Sequence, residues 1–169
     1  MNIGTQKIAC AVFAGFVMSM ASMSAAEALS SNFSFMIVET DDDGAEKLVK
    51  RETVKPGETI HYQLLHENMT EQALSGLVIA APVPQGVSLT FGGQDTSVSA
   101  VFEVQAEMDP EIDGLEWSTL PALRKVADAD GNLHDEPLPE EEVAAVRWTL
   151  SQPLEPGEIA KNSYRVRLN

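Results

Sequence analysis

The chain has 169 residues, one cysteine, and 26 acidic against 11 basic side chains, a formal net charge of −15. That balance argues against sequence-independent nucleic-acid binding, which neutralises phosphates with Lys and Arg, and against adsorption to anionic lipid. The length suits one domain with a core of ordinary size.

At the N-terminus, Lys7 precedes an apolar run over residues 8–18 (IACAVFAGFVM), shorter than the about 20 residues needed to span a bilayer. Small residues follow: Ser24 and Ala26 suit a cut before Glu27, and Ala26 and Ala28 a cut before Leu29. This is the layout of a secretory signal peptide. Residues 1–26 are therefore predicted to be removed, leaving residues 27–169 as one exported domain, periplasmic or extracellular, with no stable membrane insertion. Cys10 leaves with the signal, so the mature chain is expected to hold no thiol and no disulfide, and to rely on packing for stability. Lys7 is the only charge lost, and ten bases then face 26 acids.

Apolar residues downstream recur at spacing two, which predicts strands. Phe33, Phe35 and Ile37 alternate with Ser34 and Met36, and the run stops at Asp41, Asp42, Asp43 and Gly44; a second strand is expected within residues 47–53. Pro56 and Gly57 suit a type II turn, after which Ile60, Tyr62 and Leu64 face one way and Thr59, His61 and Gln63 the other, until Asn68. Tyr62 is expected to bury its ring and give its hydroxyl to the backbone. Residues 76–81 (GLVIAA) form a continuous apolar run, expected of a strand covered on both faces or central in a sandwich. Val87, Leu89 and Phe91 begin another alternation, and Ala100, Phe102, Val104 and Ala106 make a further inward row.

Residues 107–142 differ. They are rich in Asp, Glu, Pro and Gly, hold only two bases, Arg124 and Lys125, and are predicted to be a long acidic excursion, loosely packed, with at most one short strand or helical turn. Alternation returns at Val146, Trp148 and Leu150, with Trp148 expected to be the largest core side chain. A Pro-Leu-Glu-Pro-Gly turn at residues 153–157 leads to Tyr164, Val166 and Leu168. About seven short strands without an amphipathic helix predict an all-β, immunoglobulin-like antiparallel sandwich.

Residues 56–64 (PGETIHYQL), with Glu67-Asn68, residues 78–89 (VIAAPVPQGVSL), and the closing 146–150 (VRWTL) and 164–168 resemble the bacterial extracellular "conserved repeat domain", the eleventh catalogued domain of unknown function, in its short single-domain form. Ala81-Pro82 stands where many members carry Asp and Pro. The resemblance spans roughly residues 30–105 and 143–169. It implies an immunoglobulin-like fold and an envelope or extracellular location, and transfers no active site.

Catalytic chemistry finds little footing. The mature chain would have no cysteine and has no Gly-x-Ser-x-Gly elbow. His61 and His66 differ by an odd number within one strand, so they face opposite ways and cannot share a metal there. Asp128, Asp130 and Asn132 carry oxygen ligands of the kind calcium takes, but without the glycine and distal glutamate of the EF-hand spacing; a solvated acidic loop is the plain alternative. Trp117, with Asp113 and Glu116, could present a platform to a sugar or a protein, although a Trp at such a place ordinarily caps the core. The reading is a non-enzymatic structural or interaction module of the cell envelope, without a cofactor, binding a protein through a sheet edge or the acidic excursion. The alternative is a carbohydrate-binding module or minor glycan hydrolase built on Trp117 and nearby acids.

Overall fold

The computed structural model describes residues 28–169, and the predicted signal peptide at residues 1–26 lies outside them. Twelve strands follow one another: β1 (Leu29–Thr40), β2 (Glu46–Val49), β3 (Thr59–Asn68), β4 (Val78–Pro82), β5 (Val87–Leu89), β6 (Asp95–Thr96), β7 (Ala100–Ala106), β8 (Glu116–Ser118), β9 (Leu123–Ala127), β10 (Leu133–Pro137), β11 (Ala145–Leu150) and β12 (Ile159–Leu168). A 3-10 turn occupies Glu140–Glu142. Among the described residues no helix is long and apolar enough to cross a membrane.

Every pairing is antiparallel. One sheet runs β2-β1-β3-β12-β5, with β6 continuing the β5 edge along β12; the second runs β4-β11-β7-β8; β9 and β10 form a separate hairpin. The fold is thus an all-β sandwich.

Its centre is the β3–β12 pair, ten residues each, and both strands are launched by the same device. In Lys55-Pro56-Gly57-Glu58 the Glu58 N–H donates to the Lys55 carbonyl at 3.1 Å, and in Glu155-Pro156-Gly157-Glu158 the Glu158 N–H donates to Glu155 at 2.9 Å. Gly57 and Gly157 take φ of 85° and 72°, as a type II turn requires at that place. The carboxylate of each closing glutamate accepts the first N–H of its turn, at 2.8 Å in both. Each turn then bonds the far end of the other strand: Gly57 N–H to Leu168 O, and Gly157 N–H to Asn68 O. Asn68 is fully buried with both ends of its amide satisfied, by the Gln72 and Leu154 carbonyls and by Thr70. That closure explains why β3 stops where it does.

Inward rows from the two sheets meet in the core. Ile37, Ile60, Leu64, Val87, Leu89, Tyr164 and Val166 come from the first sheet, and Ile79, Ala81, Val104, Val146, Trp148 and Leu150 from the second. Trp148 is 1 % exposed and the largest fully buried side chain. Tyr164 meets its ring at 6.2 Å and donates its hydroxyl to the Pro82 carbonyl at 2.9 Å, tying the sheets together. This corrects the expectation for Tyr62, which is only half-buried; the tyrosine with a backbone partner is Tyr164.

The acidic stretch is a second correction. Residues 107–142 hold β8, β9, β10 and the 3-10 turn, and they send Ala122 and Leu138, 5 % and 3 % exposed, into the core. Repulsion among the acids is offset by both bases: Arg124 bonds Glu136 at 2.7 Å and pairs with Glu142, and Lys125 Nζ lies 2.7 Å from Asp109. A third correction concerns residues 76–81. β4 is an edge strand, and its burial alternates strictly, with Ile79 and Ala81 inward and Val78, Ala80 and Pro82 exposed.

The sheets are also offset sideways. Ser97 still donates its N–H to Lys161 of β12, while Ser99 already accepts from Ser151 beyond β11. Two residues span at most about 7 Å, so β7 stands over the β6 side of the first sheet. The Tyr164 hydroxyl of β12 reaches the Pro82 carbonyl of β4, which sets β4, at the other end of its sheet, near the β12–β3 pair; on the inward row of β1, Ile37 is buried while Phe33 and Phe35 stay exposed.

Candidate functional site

That offset exposes aromatic rings built for a core. Phe33, Phe35 and Ile37 share one face of β1, opposite Leu64, Tyr62 and Ile60 of β3. Ile37 is fully buried, yet Phe33 and Phe35 are 57 % and 43 % exposed. Phe33 stacks on Tyr62 at 5.2 Å, Phe35 meets it edge-on at 6.3 Å, and Tyr62 meets Tyr164 at 5.1 Å. The three outer rings form a shelf that continues into the core through Tyr164 and reaches the edge of β4 at Pro82. Near Phe35 the shelf ends in a recess of about 320 Å³ lined by Lys50, Arg51 and Glu52.

The edge of β4 forms the back wall. The Leu150 N–H donates to Leu77 and the Val83 N–H to Ala144, so the odd-numbered residues of β4 exchange bonds with β11. By antiparallel alternation the N–H and C=O groups of Val78 and Ala80 point to the open side. Other edges are guarded in the ways sheets commonly use. β2 carries Glu46 and Lys47; β5 is packed by the turn at Glu140–Glu142, whose Glu140 carboxylate takes the Phe91 N–H; β10 carries Asp135 and Pro137; and β8 is three residues long with Glu116. β4 has no charged residue from Val78 to Pro82.

The residues singled out from sequence lie elsewhere. Trp117 faces outward from β8 opposite Gln105, half-buried rather than capping the core. The Arg147 guanidinium sits 4.3 Å from its ring centre and makes two bonds to Glu103, at 2.7 and 3.0 Å. Those bonds hold the Glu103 carboxyl below the usual carboxylate range. A guanidinium already occupies one face of the ring, the surface a stacked sugar would use. Glu116 lies next to Trp117 on β8 and so points to the opposite face, and Asp113 is exposed in the preceding turn; the structure does not bring the three together.

Asp128 caps the β9–β10 turn. Its Oδ1 accepts the N–H groups of Asp130 and Asn132, both at 2.9 Å, and its Oδ2 accepts the Asn132 amide at 3.3 Å. The backbone bond from Asn132 leads the causes that lower its pKa. Among the described residues no three His, Cys, Asp or Glu side chains gather as a metal site.

His66 lies on the inward row of β3, between Ser31 and Ala160, and His61 on the outward row, beside Arg165. Burial, above all, depresses both imidazoles; for His61 the nearby Arg165 and Lys161 add to it, against Asp95. His61 shares a recess of about 330 Å³ with Ser163, Asp95 and Arg165. His61 Nδ1 has no partner there, and no hydrogen bond among the described residues joins it to Ser163 or Asp95.

The shelf itself was only half legible. The sequence places Phe33 and Phe35 on an inward row, and nothing local says that the facing sheet stops short of them. No protein-family model, curated protein or solved structure matches the chain.

Proposed function

We propose that this protein is an exported, non-enzymatic interaction module of the bacterial cell envelope, holding a protein partner against the aromatic shelf and the open edge of β4. One observation carries the reading: the uncharged edge of β4 is met at Pro82 by the Tyr164 hydroxyl, whose ring packs on half-buried Tyr62 and through it on exposed Phe33 and Phe35. Edges of this kind invite strand pairing and are ordinarily blocked. Location rests on the signal-like residues 1–26 and on the resemblance to the extracellular "conserved repeat domain", whose immunoglobulin-like fold would be a two-layer antiparallel sandwich of this kind. Retention of an envelope protein by the immobilised protein, at both low and physiological salt, and its loss on Phe33→Ser/Phe35→Ser, tests the reading. A column that retains no envelope protein specifically sinks it.

A further inference from the structure

The same site limits what can occupy it, and this deeper step rests on the reading above. We propose that the shelf accepts one extended segment of a separate polypeptide, about five residues long, which adds to β4 as the missing fifth strand of the second sheet. The segment carries apolar side chains at alternate positions and basic residues beside them.

The strand form follows from the edge. Val78 and Ala80 each present an N–H and a C=O to the open side, while the Pro82 carbonyl is taken by Tyr164. Four backbone bonds are therefore on offer across β4, whose five residues set the length. A strand placed there lies about 4.8 Å beyond β4, over β1. Its inward side chains, every second residue, land on Phe33, Phe35 and Tyr62 and turn exposed rings into core.

A second copy of this chain does not fit. The first sheet continues beyond β3 through β1 and β2, so with β4 near the β12–β3 pair these two strands extend past its edge by about 10 Å at ordinary strand spacing. Two copies joined β4 to β4 would drive both overhangs into the same space. Each exported domain also carries ten bases against 26 acids, which opposes self-association and favours a basic partner.

The probe is a synthetic ten-residue peptide alternating Val and Lys, with one control replacing Lys by Glu and another of the same composition with Val and Lys in two blocks. Titration calorimetry measures affinity, and amide exchange locates the contact. The alternating basic peptide is expected to bind and to slow exchange at Val78 and Ala80, whereas both controls bind more weakly. Ala80→Pro removes one outward N–H without touching the bonds to β11. It is expected to weaken binding by about tenfold, as loss of a bond that leaves its partner unpaired does, with an unchanged circular dichroism spectrum. Phe33→Ser, at a half-exposed position, gives a second variant should Ala80→Pro perturb the strand.

Absence of binding, binding unaffected by both variants, protection confined to another surface, or a dimer that protects the same amides would each overturn the proposal. An envelope partner retained equally by Ala80→Pro would leave the interaction-module reading standing and remove only the strand acceptor. Peptide binding without any envelope partner would do the reverse.

Discussion

Tyr164 links the layers through one hydroxyl, and its ring is pinned between Tyr62 and Trp148. Burial drives its pKa up, so the hydroxyl stays a donor at any ordinary pH. Tyr164→Phe keeps the ring and leaves the Pro82 carbonyl short of a partner, so a loss of about 1–2 kcal/mol is expected in chemical denaturation. Tyr62→Phe, at a half-exposed ring, should cost much less. Both tyrosines sit on inward rows, and sequence alternation makes them equivalent; only the stagger of the sheets decides which hydroxyl meets a carbonyl. His61 and His66 carry the pH dependence nearest neutrality. Their folded pKa values are lowered, so the unfolded chain binds more protons below the ordinary value of about 6.5. Stability is full above that pH and declines as pH falls towards the folded values. Glu58, Glu103 and Asp109, lowered chiefly by bonds to Arg51, Arg147 and Lys125, add their loss only as pH drops through the carboxylate range. Melting temperatures between pH 8 and 5 should fall for the wild type and flatten for His61→Gln/His66→Gln; an equal slope in the variant would assign the effect elsewhere.

Among the elements, residues 107–142 show how charge conceals strands. β9 and β10 lack an apolar rhythm because their cross-strand partners are Arg124 with Glu136 and Lys125 with Asp135. A propensity built on hydrophobic alternation passes over such a hairpin. Its anchorage is apolar all the same: Ala122 and Leu138 flank it in the core, and the Leu138 N–H bonds the Ala122 carbonyl at 3.0 Å. Leu138→Ala is expected to cost about 2–5 kcal/mol, read from denaturant midpoints, whereas a loosely attached excursion would leave the midpoint unmoved. β4 shows the converse difficulty. A run of Val, Ile and two Ala residues reads alike for a strand covered on both faces and for an edge whose outward residues happen to be small. The Pro-Gly turns were fully legible, because each fixes its geometry within four residues and needs no knowledge of the rest of the chain.

At the scale of the molecule, the all-β layering was legible and the overlay of the sheets was not. Alternation says which side chains point inward, while the offset depends on how quickly the chain passes from β6 to β7, which is a property of three-dimensional paths. The pairing of β3 with β12 adds a consequence in time. These two central strands lie some hundred positions apart in the chain, and each is finished by bonds from the turn that launches the other. At roughly 5–20 residues per second of synthesis, β3 waits on the order of 5–20 seconds for its neighbour to be made. During that interval β3 lacks one flank and the Tyr164 clasp does not exist, so the central sheet stays incomplete. Under the export proposed above, a secretory channel would meet a chain whose central sheet cannot close until nearly the whole domain has been made.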